Sequence, residues 1–260
     1  PYLNFVHPED VERTCTQLAH AMDPEPYRVA YESRLRTREG TYRWLLWSAA
    51  WDGEQWSLVA KDITARKERE RQALHDPLTG VANRALATDR LGAAIRRIQR
   101  SSTAAVALLV DIDDLTTIND THGHQCGDSV LRAVAERLTE RLRQSDTVGR
   151  FGGDRFLVVA DGVADGSARA VEAVIERVSG AFARPVPTRN GLLTVSGTIG
   201  VAVAQDPDAD PEDVIRDADV ALRRAKQRGR GQVEVFDHAL PEEVRERIEL
   251  AAELRGALQR

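Results

Sequence analysis

Aromatic side chains divide this 260-residue chain into two parts that are built differently. All four tryptophans and all four tyrosines lie within residues 1–63, and the remaining chain has neither residue type. A compositional shift of this kind marks a domain boundary, and the length exceeds the ~100–200 residues of one typical domain. The sequence therefore predicts two units, either of which is able to bury a hydrophobic core.

Composition narrows the class of protein. The 36 basic and 41 acidic residues give a net charge of −5, so we expect no nucleic-acid binding. Cys15 and Cys126 lie far apart and form no Cys-x-x-Cys pair, which is typical of a reducing cytoplasm. The apolar run 104–110 is far shorter than the ~20 residues that span a bilayer, so we expect no membrane span within this segment. The opening residue Pro1 suggests a piece of a longer protein.

The first unit has the pattern of an antiparallel sheet behind a short helix. Residues Tyr27–Thr37 and Thr41–Ala50 alternate as two strands around a turn at Glu39-Gly40, which predicts a hairpin. A third strand is predicted over Gln55–Ala60, and a helix over Pro8–Met22.

The second unit alternates strands with helices. The sequence predicts strands at Ala105–Val110, Leu192–Ala204 and Gln232–Phe236, a hairpin of Thr147–Phe151 with Phe156–Ala160, and helices at Asp128–Leu142, Ala168–Phe182 and from Asp210-Pro211-Glu212 onward. Crossover connections together with a hairpin imply a mixed sheet flanked by helices, an α/β (α+β) fold.

Carboxylates gather where the first strand of this unit ends. Period-two geometry places Asp111 and Asp113 on one face of the strand. Asp154 follows Gly152-Gly153, where glycine allows positive φ and close approach of a ligand. Mg²⁺ bound to a nucleotide triphosphate takes one or two protein carboxylates plus phosphate oxygens. A Gly-Gly-Asp hairpin is also common as a plain turn, so this pattern alone leaves both interpretations open.

A basic pair lies near the end of the predicted last helix. Lys226 and Arg230 are four residues apart and can face the same side. They suit triphosphate oxygens, and they equally suit the helix dipole.

Several motifs, in order and spacing, resemble a GGDEF domain over roughly residues 74–238. They are Asp76-Pro77-Leu78-Thr79-Gly80-Val81-Ala82-Asn83-Arg84, Asp111-Ile112-Asp113, Ile118-Asn119-Asp120, Gly123-His124, Gly127-Asp128, Gly152-Gly153-Asp154, Ser196 with Thr198-Ile199-Gly200-Val201-Ala202, Ala218-Asp219, Ala221-Leu222 and Ala225-Lys226. The resemblance implies a diguanylate cyclase, which joins two GTP molecules into cyclic di-GMP across a homodimer.

The resemblance also implies a role for each site residue. Asp111 and Asp154 would hold Mg²⁺ or Mn²⁺ with help from the Ile112 carbonyl, and Arg155 occupies the next catalytic position. The residues that would bind GTP are Asn119 and Asp128 at the guanine edge and Lys226 and Arg230 at the terminal phosphates.

A second site is implied nine residues before Gly152. Arg143-Gln144-Ser145-Asp146 resembles the family's inhibitory Arg-x-x-Asp motif, which binds the product cyclic di-GMP. An arginine fork takes a phosphate or a guanine edge, and an aspartate accepts from guanine N–H groups. A solvated helix end is the other interpretation of these residues.

Arg155 departs from the family, which carries glutamate at this position. Reversing one charge beside a metal, at ~4 Å and an effective dielectric near 20, changes the local energy by several kcal/mol. Arg155 could instead point away along the strand or contact phosphate. Further departures are Leu115-Thr116, Arg223 and Gly231. Two hypotheses follow: a cyclase of weak activity, or a degenerate domain that binds GTP or cyclic di-GMP and regulates a partner.

The flanking segments complete the predicted organisation. Residues 1–63 resemble the second half of a PAS (PAC) sensor domain through Phe5–Asp10, Gly40–Trp44 and Asp62–Thr64, although these aromatics also suit a plain core. Residues 64–75 would form a connecting helix, either signalling or spacing, before a GGDEF domain at 76–238. Residues 239–260 form an amphipathic pattern similar to the lead-in to an EAL phosphodiesterase domain, and a helix packed on its own domain fits as well.

Overall fold

The computed structural model describes residues 2–21, 28–51, 56–101, 103–164, 167–189 and 191–236. Its contacts divide the chain into two compact units, Pro1–Ala73 and Leu74–Arg260. The predicted C-terminal helix, residues 239–260, lies outside the described residues, as do Met22, Tyr27 and Gln55. Among the helices that are described, none has both the length and the apolar character needed to cross a membrane.

The first unit contains the predicted antiparallel sheet. Its three strands pair in the order β1-β2-β3. The elements are 3₁₀ turns at Tyr2–Phe5 and Pro8–Asp10, α1 (Val11–Ala21), β1 (Arg28–Arg36), β2 (Tyr42–Trp51), β3 (Trp56–Asp62) and the greater part of α2 (Thr64–Leu74). The predicted N-terminal antiparallel sheet is confirmed, and the predicted helix from Pro8 divides into a 3₁₀ turn and α1.

Charged side chains link the Pro8–Asp10 turn and the start of α2 to the sheet of this unit. Arg34 on β1 donates from Nε to Asp10 Oδ2 at 2.9 Å and lies 5.2 Å from the Trp44 ring centroid. At the start of α2, Asp62 accepts the Thr64 N–H at 2.9 Å, the bond expected of an N-cap. Hydrogen bonds from Thr64 and Arg43 lower the pKa of Asp62 to about 2.

The second unit is a six-stranded mixed sheet covered by helices, in the order β11-β10-β5-β7-β6-β4. Its elements are β4 (Ala82–Asn83), α3 (Arg84–Ile98), β5 (Thr103–Ile112), α4 (Leu115–His122), α5 (His124–Arg141), β6 (Thr147–Gly152), β7 (Arg155–Ala164), α6 (Ala168–Ser179), a 3₁₀ turn (Gly180–Phe182), β8 (Val186–Thr188), β9 (Gly191–Leu193), β10 (Gly197–Ala204), α7 (Pro211–Arg228) and β11 (Val233–Val235). The β10–β11 and β4–β6 pairs are parallel and the others antiparallel, which confirms the predicted mixed sheet.

The central strand β5 is buried on both faces. Its even-numbered residues, such as Leu108, join a core with α5 and α6, and its odd-numbered residues, such as Leu109, join a core with α3 and α7. Side chains alternate along a strand, so both cores are filled from one apolar run. The next odd position, Asp111, is also buried, and alternation assigns it to the α7 side.

Some predicted element bounds are wrong. The single strand predicted over Leu192–Ala204 is two strands, because β9 pairs with β8 in a separate two-stranded sheet and the chain enters the main sheet only at β10. At this break, the Ser196 carbonyl accepts the Asp113 N–H at 3.0 Å. Helix α5 begins at His124, four residues earlier than predicted, directly after Gly123 with φ of 82°. The helix predicted to Phe182 becomes 3₁₀ at Gly180, and the sequence prediction omitted α3 and α4.

Gly200 on β10 sets the distance between the sheet and α7. A Cβ at this position would lie 2.2 Å from the Ala218 carbonyl oxygen and 2.3 Å from the Leu222 nitrogen, both backbone atoms. We expect Gly200→Ala to lower the free energy of unfolding by about 1–3 kcal/mol, because a helix backbone must shift. Urea denaturation followed by far-UV circular dichroism measures the change.

Gly180→Ala is the matched control, because its Cβ would meet only the mobile guanidinium end of Arg141. Its φ of −62° is also open to alanine, so we expect a change within about 0.5 kcal/mol. Tryptophan fluorescence reports the first unit alone and serves as an internal reference. Equal effects of the two substitutions would contradict the proposed role of Gly200.

Candidate functional site

The end of β5 and the turn between β6 and β7 form one structure. Gly152 and Gly153 have φ of 131° and 55°, in the left-handed region that favours glycine. Asp154 completes the turn, and its carbonyl accepts the Ile112 N–H at 3.1 Å. The turn is therefore held against the strand that carries Asp111.

Arg155 faces Asp111. The two residues are direct partners in the antiparallel β5–β7 register, which places their Cβ atoms roughly 4.5–5.5 Å apart on one face. Arg155 donates from Nε to Asp111 Oδ2 at 3.2 Å and from Nη1 to Asp219 Oδ1 at 3.0 Å. Of the orientations that the sequence left open, the arginine adopts one directed at the carboxylates.

Helix α7 supplies a second cation to Asp111. Lys226 Nζ lies 2.7 Å from Asp111 Oδ1, so each carboxylate oxygen is paired with a positive group. Asp219 and Lys226 are seven residues apart, close to two helical turns, which places them on one face of α7. Asp219 also pairs with Arg223 at 3.1 Å.

The pKa of Asp111 is above its ordinary value. Burial raises it, the hydrogen bond from Lys226 lowers it, and the nearby charge of Asp154 raises it again. The side chain of Asp111 is only 3% exposed, whereas those of Lys226 and Arg155 are 41% and 40% exposed. The carboxylate is therefore enclosed, and its two cations remain open to solvent.

These residues do not fit a divalent cation in the observed arrangement. The resemblance implies Mg²⁺ on Asp111 and Asp154 beside the Ile112 carbonyl, yet both oxygens of Asp111 are already paired with cations. Within the part of the chain that the structure describes, His, Cys, Asp and Glu side chains form no group of three or more suited to a metal. The guanidinium of Arg155 brings a positive charge to Asp111, the carboxylate that the resemblance assigns to the metal.

Asn119 lies in a space that Gly127 leaves open. The Oδ1 atom of Asn119 on α4 is buried without a hydrogen-bond partner. A Cβ on Gly127 in α5 would lie only 2.0 Å from that atom. Asp128, the next residue, is partly buried and lies 3.8 Å from Arg132. A buried unpaired acceptor costs about 1–3 kcal/mol, so Asn119 Oδ1 is available to a donor from a ligand.

The two predicted phosphate-binding cations have different partners. Lys226 pairs with Asp111, whereas Arg230 lies beyond the end of α7 and pairs with Asp114 at 2.6 Å. Asp114 has φ of 56° and is the single non-glycine residue with positive φ in the described ranges. The side chain of Arg230 is 68% exposed, so most of its surface remains accessible.

The predicted product-binding residues, Arg143 and Asp146, contact each other through the backbone N–H of Arg143. The carboxylate of Asp146 is 1% exposed and accepts the Arg143 N–H at 3.0 Å. It also accepts from Arg177 Nη1 at 3.3 Å, an interaction that the sequence analysis missed. Arg143 itself is exposed, beside a groove of about 670 Å³ that Arg141 and Arg177 also line.

Asp219 and Arg150 are the other residues that the sequence analysis left without a role. Asp219 lies about two helical turns before Lys226, so the spacing in the sequence could have placed it at the site. Arg150 donates from Nη2 to the Gly153 carbonyl at 2.8 Å and from Nη1 to Asp76 at 3.2 Å. Since Asp76 is distant in sequence, no local pattern indicates this link to the Gly152-Gly153-Asp154 turn, called the signature turn below.

Comparison with known proteins gives two family matches. The sequence model described as diguanylate cyclase, GGDEF domain, matches residues 73–232, and the one described as PAS fold matches residues 1–55. A curated relative, the bifunctional diguanylate cyclase/cyclic di-GMP phosphodiesterase MucR of Pseudomonas aeruginosa, is 34% identical over 78% of this chain and 30% of its own length. The first curated relatives are matched over only 25–33% of their length.

Two solved structures have similar folds. The GGDEF domain of TpbB from Pseudomonas aeruginosa is 34% identical, with a TM-score of 0.58, and the alignment covers 63% of this chain and 94% of that one. The coiled coil and GGDEF domain of DgcB from Caulobacter crescentus, in complex with c-di-GMP, is 27% identical, with a TM-score of 0.59 and coverage of 66% and 90%.

The pKa of Asp111 is testable by carboxyl ¹³C NMR. We expect titration above the ordinary aspartate value of ~3.9. The folded state then binds this proton more tightly than the unfolded chain, so this group's contribution to stability falls as pH rises from the ordinary pKa through the raised one. Lys226→Met should raise the pKa of Asp111 further, because it removes the hydrogen bond that lowers it most.

Arg223→Met is the control for this titration. Arg223 pairs with Asp219 rather than with Asp111, so the pKa of Asp111 should change little. An Asp111 that titrates at or below the ordinary aspartate range would contradict the burial argument.

Proposed function

The chain belongs to the GGDEF family, with part of a PAS fold before the GGDEF domain, and we propose that it regulates cyclic di-GMP signalling by binding GTP with little or no turnover. The pairing of Arg155 with Asp111 and Asp219 is the observation that carries this proposal. The PAS unit would act as the sensor, and α2 would connect it to the GGDEF domain.

Charge at the reacting edge argues against efficient cyclisation. In the family reaction, the 3′-hydroxyl of one GTP attacks the α-phosphate of another and expels pyrophosphate, and the family generally uses a divalent metal. Arg155 replaces the family's negative glutamate with a positive group bonded to Asp111. Two unit charges at ~4 Å interact by about 4 kcal/mol at an effective dielectric of 20. Turnover should therefore be slow, since the site repels the metal.

The binding functions of the site are better preserved. Asn119 Oδ1 is an unpaired buried acceptor for a guanine N–H, and Asp128 lies nearby in sequence as a second acceptor. Lys226 and Arg230 keep large exposed surfaces for phosphate oxygens. Such a domain would bind GTP and transmit its bound state to an attached partner.

A diguanylate cyclase of low activity is the second candidate. It is supported by Asp111 and Asp154, which stay adjacent through the bond between Ile112 N–H and the Asp154 carbonyl. This candidate requires a homodimer, Mg²⁺ or Mn²⁺, and displacement of Arg155 from Asp111. Cyclic di-GMP would then bind at Arg143 and Asp146, where the Asp146 carboxylate would have to share its bond with Arg177.

The names of relatives suggest what such a domain regulates. MucR is named as both a diguanylate cyclase and a cyclic di-GMP phosphodiesterase. We propose that the longer protein carries an EAL phosphodiesterase domain after this segment, and that GTP on the GGDEF domain controls it.

Incubation with GTP and Mg²⁺ or Mn²⁺ separates the two candidates. We expect GTP binding by calorimetry and cyclic di-GMP at or near the detection limit by chromatography from the purified protein. Arg155→Glu should raise product formation by at least about tenfold, because the repulsive charge becomes attractive. Asp154→Ala in the Arg155→Glu background should abolish that gain. Product from the wild type that disappears in Asp154→Ala would establish the second candidate instead.

Gly127 tests the guanine site without altering a hydrogen-bonding group. Gly127→Ala should displace the Asn119 side chain and weaken GTP binding by about tenfold or more, because the guanine donors lose an acceptor. Asn119→Ala should give a similar loss, and the double variant little further loss, since both act on one contact. Additive losses would show that Gly127 acts elsewhere, and circular dichroism checks that each variant is folded.

A further inference from the structure

We infer that Arg155 acts as a built-in cation in place of a divalent metal, so that this site excludes the metal and binds its triphosphate as the metal-free nucleotide. The inference rests on the proposed function for the nucleotide. The exclusion of the metal rests on the ion pairs that Arg155 and Lys226 make with Asp111, and it can be tested without any nucleotide.

The position of the guanidinium supports this inference. Arg155 reaches Asp111 Oδ2, on a strand-end carboxylate that is almost fully buried. Lys226 occupies the other oxygen of the same carboxylate. A divalent ion would have to break at least one of these pairs before it could bind Asp111.

A second carboxylate fixes the orientation of Arg155. Asp219 accepts from Nη1 at 3.0 Å while Asp111 accepts from Nε, so two acceptors on different elements hold one planar group. Guanidinium donors have a fixed geometry, and satisfying two carboxylates at once restricts the side chain to this orientation. Asp219 is therefore a positioning residue for Arg155.

The change of charge at position 155 matches the charge of the divalent ion that Arg155 would replace. Exchanging a glutamate for an arginine changes the local charge by two units, which equals the charge of one divalent ion. Asp111 and Asp219 are the carboxylates that Arg155 contacts, and Arg155, Lys226 and Arg223 are the cations that pair with them. Charge compensation at Asp111 and Asp219 is thus complete without an added ion.

The exposed sides of the cations give the site its proposed ligand. Arg155 and Lys226 are both about two-fifths exposed, at 40% and 41%, although each is paired with a buried acid. Phosphate oxygens accept from arginine and lysine in charge-assisted bonds. Without a metal to bridge them, the triphosphate oxygens would contact these two side chains directly.

Manganese titration followed by electron paramagnetic resonance tests the exclusion of the metal in nucleotide-free protein. We expect no stoichiometric Mn²⁺ site in the wild type and a new site in Arg155→Glu that Asp111→Asn removes. Arg223→Glu is the matched control: it reverses the charge of a cation that pairs with Asp219 but leaves the Arg155–Asp111 pair, so it should gain no site. A wild-type Mn²⁺ site that depends on Asp111, or an Arg155→Glu variant without a site, would overturn the inference.

Calorimetry with GTP, in EDTA and in saturating Mg²⁺, tests the form of the nucleotide. The wild-type affinity should be weaker by about tenfold or more in saturating Mg²⁺, because Mg²⁺ converts free GTP into its metal complex. The affinity of Arg155→Glu should improve by about tenfold or more with Mg²⁺. A wild-type affinity that Mg²⁺ leaves unchanged or improves sinks the inference while the proposed function stands. Absence of GTP binding in both conditions sinks the proposed function, and the Mn²⁺ titration then decides whether Arg155 excludes the metal.

Discussion

The carboxylate of Asp111 is a negative charge buried at the end of a strand that is packed on both faces. Taking such a charge out of water is costly unless nearby groups compensate for it. Here β7 provides Arg155 through its register with β5, and α7 provides Lys226 from its last turn. The sheet pairing and the helix packing thus meet at one side chain, and the chemistry of the site follows from how that charge is compensated.

The geometry of the signature turn is characteristic of the family, but it does not by itself determine whether the domain can catalyse the family's reaction. Positive φ at Gly152 and Gly153 and the bond from Arg150 to the Gly153 carbonyl shape the turn. None of these features depends on which residue stands at position 155, so the fold tolerates an arginine there. In the proposed function, turnover depends on that residue because its charge acts directly on Asp111. A chain can therefore keep every structural mark of its family and still lose the family's reaction.

Much of this arrangement was predictable from local patterns. The apolar run before Asp111 indicated a buried strand, and the crossover connections together with a hairpin indicated the mixed sheet. The roles that the motifs imply for the site residues stay a prediction. The direction of Arg155 was not predictable, because it depends on the register between strands that are distant in sequence. The break near Ser196 was missed for a similar reason: the apolar pattern continues, but Ser196 bonds to Asp113 across the sheet. Arg177 at Asp146 is likewise a long-range partner.

Contacts with residues that are distant in sequence also decide whether the residues of a motif are available to bind a ligand. Asp146 matches a product-binding motif, yet its carboxylate is buried and already accepts from Arg143 and Arg177. Asn119 shows the opposite case, because its buried acceptor has no partner and Gly127 keeps its space open. An acceptor that is already satisfied must exchange one bond for another when a ligand arrives, whereas an unpaired one gains a bond outright. On that argument, the predicted guanine position offers this domain more binding energy than the predicted product position, which favours the proposed role as a GTP sensor.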